Sequence, residues 1–164
     1  MKYSYDTFET PLGLFSIAVN GTGELVAAAF GDKTALQARL RPCHVMHDPI
    51  DLPEARSQIA EYFAGEPSSF DLPLAPAGTP FQQQVRAAVQ GIPCGETRSY
   101  AELGAQVGRP SAARAVGRAN ATNPICLIVP CHRVIGHDGS LTGYAFGKEL
   151  KRRLLALEEA MQPA

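Results

Sequence analysis

The chain has 164 residues, 45% of them hydrophobic and 19% charged, with a formal net charge of −1. That length serves one ordinary domain or two small ones, and the composition is that of a globular protein. No run of 18 or more apolar residues occurs, which excludes a membrane-spanning helix. The four cysteines (Cys43, Cys94, Cys126, Cys131) lack C-x-x-C spacing, which points to free thiols in a reducing, cytoplasmic setting rather than a disulfide framework. Charge is uneven: residues 1–78 hold five Lys/Arg against ten Asp/Glu, and residues 79–164 hold ten against six. The C-terminal half alone suits a polyanionic partner, and its excess is modest.

The first 13 residues, MKYSYDTFETPLG, are polar and aromatic with no apolar core, so no signal peptide is expected. The segments 14–20 and 24–30 flank Gly21-Thr22-Gly23 and predict a β-hairpin. Residues 32–40 predict a short helix, and 42–53, with three prolines, reads as loop. Within that loop Cys43-His44-x-x-His47 offers three potential ligands but no fourth at standard zinc spacing, so no metal is assigned. Residues 54–64 predict an amphipathic helix with Ala55, Ile59, Tyr62 and Phe63 near one face, ended by Gly65. The Pro- and Gly-rich stretch 70–80 reads as a strand end and a linker, which places a domain boundary at about residue 78.

The second half reads mainly as helices. Phe81, Val85, Ala88 and Val89 recur at helical spacing over 81–92, followed by a loop at 93–97. Ser99-x-x-Glu102 is a capping-box pattern opening a helix that stops at Gly108, and Ser111 is placed to cap a second short helix. Two short helices joined by a tight turn fit a helix-turn-helix and a plain αα-hairpin equally well. Asn123-Pro124 forces a turn, residues 125–129 (ICLIV) read as a short buried strand, and 148–160 predict a basic amphipathic helix.

At the end of that strand stands Pro130-Cys131-His132-Arg133. A thiol is mostly protonated at neutral pH unless a base or a positive field helps it. Neighbouring side chains on extended backbone point apart, so His132 reaches Cys131 only through a bend or a bridging water. A third group must orient the imidazole, and Glu158 and Glu159 on the tail helix are candidates. Arg133 reads as a salt bridge tying the turn. Arg114, set among Ala112, Ala113 and Ala115, suits a close approach to phosphate or a groove, and equally a solvated position on a tightly packed helix.

Taken in order, FQQQV (81–85), GETRSYAELG (95–104), AARAVGRANATNP (112–124), IVPCHRVIG (128–136), LTGYAFG (141–147) and LLALE (154–158) closely resemble the O6-alkylguanine-DNA alkyltransferases. PCHRV is a highly specific signature, and the resemblance spans the whole second half. It implies an α+β fold: a small N-terminal α/β domain over 1–78, with a ribonuclease H-like sheet and helices, and a mainly helical domain over 79–164. The latter carries a winged or helix-turn-helix DNA-binding motif and the alkyltransferase site. Cys131 becomes the acceptor of the alkyl group from O6 of guanine, and possible substrates extend to O4 of thymine. His132 becomes the base acting through water and Glu158 its orienting carboxylate; Asn123 holds the turn, and Tyr100 gives a hydroxyl to the guanine ring nitrogen. Val134, Ala145, Phe146 and Tyr144 line the base pocket. Arg114, on the helix that enters the minor groove, fills the space of the flipped nucleotide, with Ala112, Ala113, Gly117 and Ser99 at the DNA surface. The resemblance further implies a monomer in the cytoplasm that acts once per molecule on double-stranded DNA, without cofactor or metal.

Two positions depart from the family pattern. Arg86 stands where many relatives carry an aromatic, which implies different helix packing or exposure. Phe146 replaces the first glycine of a common Gly-Gly and is expected to narrow the pocket against bulky substituents such as benzyl. Two other readings compete: a non-catalytic lesion-binding relative, which usually carries Trp in place of the cysteine, and a cysteine hydrolase, for which no oxyanion-hole signal is present.

Overall fold

The computed structural model describes residues 2–40, 45–66, 70–141 and 143–161. The chain divides into two compact units, one made of Met1–Ala75 with Pro124–Cys126, the other of Pro76–Asn123 with Leu127–Ala164.

The first unit is a four-stranded sheet with two helices. Strands β1 (Lys2–Thr10), β2 (Gly13–Val19), β3 (Leu25–Phe30) and β4 (Val45–Pro49) lie in the order β3-β2-β1-β4. The predicted hairpin is β2–β3, closed by Asn20, whose Oδ1 accepts from the Thr22 and Glu24 amides, and by Gly23 at φ 83°. Phe15, Ile17 and Ala28 are buried on one face of it and Ala27 and Ala29 on the other. Helix α1 (Lys33–Gln37) is capped by Asp32, and α2 (Pro53–Phe63) buries Ala55, Ile59 and Tyr62.

Two strands were not legible in the sequence. β1 runs antiparallel to β2 although its inward positions include Asp6, buried where an apolar residue is expected. That carboxylate is satisfied by Arg56, from Nε to Oδ2 at 2.6 Å and from Nη2 to Oδ1 at 2.5 Å, and by the Leu52 amide at 3.0 Å. Burial acts to raise the Asp6 carboxyl, and these bonds outweigh it and hold it below the usual range. The expectation of loop over 42–53 is corrected by β4, which pairs parallel to β1. As the sheet's edge strand it tolerates Pro49, and Met46 points into the core. The Cys43-His44 pair lies outside the described residues.

The second unit contains α3 (Pro80–Gln90), β5 (Arg98–Ser99), α4 (Tyr100–Gln106), α5 (Ala113–Ala121), β6 (Val134–Ile135) and α6 (Lys148–Ala160), with β5 and β6 paired in parallel. Val85, Val89, Leu103, Val116 and Leu154 are fully buried among these helices. The capping box at Ser99 forms: the Glu102 amide donates to Ser99 Oγ and the Ser99 amide to Glu102 Oε1, both at 3.1 Å. Helices α4 and α5 meet at a turn where the Arg109 amide donates to Gly104 O at 2.7 Å. A Cβ on Gly104 would lie 2.9 Å from Arg109 O, so the turn requires glycine there. Ser111 does not cap α5: the Ala112 amide is drawn back to Arg109 O, which leaves Ser111 inside the turn and Ala112 as the cap residue, without a side-chain bond.

Candidate active site

The run 125–129 is buried throughout but is not the expected strand. Ile125 makes a single bridge to Ala28 within the first unit, and Leu127 then adopts φ 70°, the one left-handed non-glycine among the described residues. That conformation breaks any ladder, and a branched side chain holds it only where the surrounding packing compels it. After Pro130, residues Cys131–Arg133 form one 3-10 turn. The Cys131 amide donates to Val129 O at 2.7 Å, the Arg133 amide to Pro130 O at 2.9 Å, and the Val134 amide to Cys131 O. The backbone therefore bends at Cys131 and His132 instead of running extended, and all three residues of the turn are buried.

Glu158, on α6, organises the charges. His132 Nε2 lies 2.6 Å from its Oε2, Arg133 Nε donates to Oε1 at 2.7 Å, and Arg133 Nη2 donates to Oε2 at 2.9 Å. Arg133 Nη1 also donates to Ile92 O at 2.7 Å. Burial works to raise the Glu158 carboxyl, yet the bonds from His132 and Arg133 hold it down to about 2. It is therefore a carboxylate that only accepts, so the proton between it and His132 belongs to Nε2. Burial pushes the His132 imidazole below its ordinary value of 6.5, against the pull of Glu158. The neutral ring then presents a lone pair at Nδ1, a buried atom with no hydrogen-bond partner among the described residues. Glu159, the other carboxylate considered, is exposed.

Lys151, also on α6, was not anticipated. It is only 1% exposed and its Nζ donates to Val134 O at 2.7 Å. Burial pushes its ammonium down, and the Cys131 sulfur, where ionised, pulls it back up. The 151, 154, 158 spacing puts Lys151 on the buried face with Leu154 and Glu158, and a lysine on such a face is the signal that was available. Asn120, also unanticipated, donates from Nδ2 to Cys131 O at 3.1 Å. Asn123 is buried and donates to Val129 O at 3.2 Å, two residues before the nucleophile candidate.

The remaining expected residues are spread over the same unit. Tyr100 opens α4, half-buried, and Gly117 of α5 faces its ring, since a Cβ there would meet the ring at 3.7 Å. Arg114 is exposed in the first turn of α5, beside half-buried Ala112 and Ala113. Ser99 is buried and its hydroxyl serves the α4 cap. Tyr144 and Phe146 stack edge-on with centroids 5.5 Å apart, and Ala145 between them is exposed. Val134 already donates its amide to Cys131 O and accepts from Lys151, which leaves one lone pair of its carbonyl for another donor. Arg86 is half-buried and its guanidinium pushed down by burial. The Cys94 thiol is pushed up by burial and by the Glu158 carboxylate, against the opposing pull of Arg133.

Both units match one family. Residues 3–76 match "6-O-methylguanine DNA methyltransferase, ribonuclease-like domain", and residues 80–160 match "6-O-methylguanine DNA methyltransferase, DNA binding domain". The chain is 46% identical over 155 residues to the methylated-DNA–protein-cysteine methyltransferase of Methanosarcina barkeri, covering 94% of this chain and 96% of that protein. It is 46% identical over 160 residues to the constitutive methylated-DNA–protein-cysteine methyltransferase of Bacillus subtilis, covering 96% of each. Among solved structures it resembles Mycobacterium tuberculosis OGT in complex with DNA, at 44% identity and a TM-score of 0.84, over 98% of this chain and 96% of that one.

Proposed function

Because this chain belongs to the 6-O-methylguanine DNA methyltransferase family, we propose that it repairs methylated DNA by direct reversal, with Cys131 as the acceptor. The carrying observation is the pairing of His132 Nε2 with the ionised Glu158 at 2.6 Å, one residue from the thiol. That pairing leaves His132 Nδ1 as the only ring atom able to take a proton. A water bridges the Cys131 thiol to Nδ1, the proton passes to the imidazole, and Glu158 stabilises the imidazolium that forms.

The thiolate sulfur attacks the alkyl carbon in line with the bond to O6 of guanine. The S–C bond forms as the C–O6 bond breaks, and the electron pair of that bond stays on the base. Tyr100 donates a hydrogen bond to the guanine ring nitrogen, which disperses the charge that develops there. The thioether has no low-energy route back, so each molecule acts once.

The partner is DNA. Within that, the reading assigns the second unit the alkyltransferase and DNA-binding roles and the first unit a supporting one. α5 enters the minor groove, with Ala112, Ala113 and Gly117 permitting close approach. Arg114 occupies the gap left by a flipped O6-alkylguanine nucleotide, and the protein acts as a monomer in the cytoplasm. Among the described residues no helix is long and apolar enough to cross a membrane, and no cluster of His, Cys, Asp and Glu suits a metal ion.

The test is intact-protein mass spectrometry after mixing with O6-methylguanine duplex DNA. The expected result is one added methyl group, mapped to Cys131 and absent in Cys131→Ala. Tight binding with no mass gain would sink the reading in favour of lesion binding without chemistry.

A further inference from the structure

Helix α5 touches the site at more than one level. Arg114 stands exposed in its first turn, Gly117 faces the Tyr100 ring, and Asn120, one turn further on, donates from Nδ2 to the carbonyl of Cys131 at 3.1 Å. That carbonyl also accepts from the Val134 amide, so both of its lone pairs are used. The turn that carries the thiol is a single 3-10 turn, a geometry with poorer hydrogen bonds than an α-helix. The Asn120 bond ties it to a regular nine-residue helix.

The other end of the same amide sharpens the point. Asn120 Oδ1 is buried and has no hydrogen-bond partner among the described residues. The side chain is thus held by its donor end alone among the described residues, and that end reaches the turn that carries the thiol. We infer that Asn120 is a positioning residue that locks the backbone of Cys131 to α5, so that the aim of the thiol is set by the helix that meets the DNA. The inference rests on the methyl-transfer reading above. It makes the reaction geometry depend on a contact that touches neither the lesion nor the proton relay.

The full-length protein tests it with Asn120→Leu, which removes the donor at similar volume, and Asn120→Asp, which keeps the shape and replaces the donor with an acceptor. Three quantities are read at a temperature where circular dichroism shows each variant folded. These are the dissociation constant for unmodified duplex, the single-turnover rate at saturating O6-methylguanine duplex, and the alkylation rate of Cys131 by iodoacetamide. The expected result is a loss of roughly 10- to 100-fold in the saturating rate, the range that misplaced reacting groups produce. Duplex affinity, and in Asn120→Leu the iodoacetamide rate, should stay within about two-fold, because neither depends on how the thiol is aimed. A saturating rate within two-fold of wild type in both variants overturns the inference. So does an equal loss in the iodoacetamide reactivity of Asn120→Leu, which would mean that the thiolate fraction and not its direction had changed. Absence of methyl gain in the wild-type protein overturns the methyl-transfer reading itself and this inference with it.

Discussion

Arg133 grips both oxygens of Glu158, from Nε at 2.7 Å and from Nη2 at 2.9 Å, across 25 positions of sequence. The carboxylate is thereby shared: it neutralises the guanidinium and orients His132. A carboxylate already paired with Arg133 pulls less on the imidazole proton, so the guanidinium holds His132 in its neutral form as well as fixing the turn.

Removing one partner leaves a buried charge exposed to no water. Arg133→Met should destabilise the protein by about 3–5 kcal/mol, the cost typical of breaking a buried pair from one side. Arg133→Lys should recover only part of it, since an ammonium cannot span both oxygens and Ile92 O with the same fork. Urea unfolding at neutral pH measures both, and equal stability of the three proteins would contradict the shared-carboxylate account.

Acid should weaken the fold in two steps. The His132 pKa is depressed from 6.5, so the unfolded chain binds the proton first and stability falls as pH drops below 6.5. Glu158, depressed from 4.5 to about 2, contributes stability that is present above pH 4.5 and is lost as pH falls through that lower value. Its contribution is about 3 kcal/mol in magnitude. Stability against pH should lose its lower step in Glu158→Gln and its upper step in His132→Gln. On the proposed mechanism, in which neutral His132 takes the proton, the methyl-transfer rate should stay level as pH is lowered through 6.5.

Lys151 sets a positive charge near Cys131, whose sulfur, where ionised, interacts with it, and the proposed reaction needs that sulfur as an anion. Lys151→Met should raise the thiol pKa of Cys131 and slow methyl transfer by roughly ten-fold at neutral pH, part of which returns at alkaline pH. His132, Arg133, Glu158 and Cys94 surround the same site and are left unchanged by the substitution, so the shift belongs to Lys151. The pH dependence of iodoacetamide alkylation of Cys131 is the measurement, and an unmoved profile would remove Lys151 from the account.

Phe146 stands edge-on to Tyr144. Phe146→Gly should speed reaction with O6-benzylguanine by about ten-fold or more, the scale set by relieving a side-chain clash in a pocket. Methyl transfer from duplex DNA should change little. Equal rates for benzyl and methyl substrates in the wild-type protein would show that the ring does not restrict the pocket.

Much was legible in the residues alone. The Ser99-x-x-Glu102 box fixed the start of α4, periodic apolar positions marked α2, α3 and α6, and the PCHRV motif marked the thiol, because these signals are local and each is read within a turn or two of chain. What the sequence could not supply depends on partners far along it. Asp6 makes β1 look unlike an inward strand until Arg56 is brought beside it, and β4 exists only because β1 offers it an edge. Leu127 breaks a run that composition alone reads as a strand. Lys151 and Asn120 look like ordinary surface residues of two helices until the fold places one beneath the Val134 carbonyl and the other on that of Cys131. A short motif singles out the proposed nucleophile; the charges and hydrogen bonds around it are ones that only folding brings within 3 Å or so of each other.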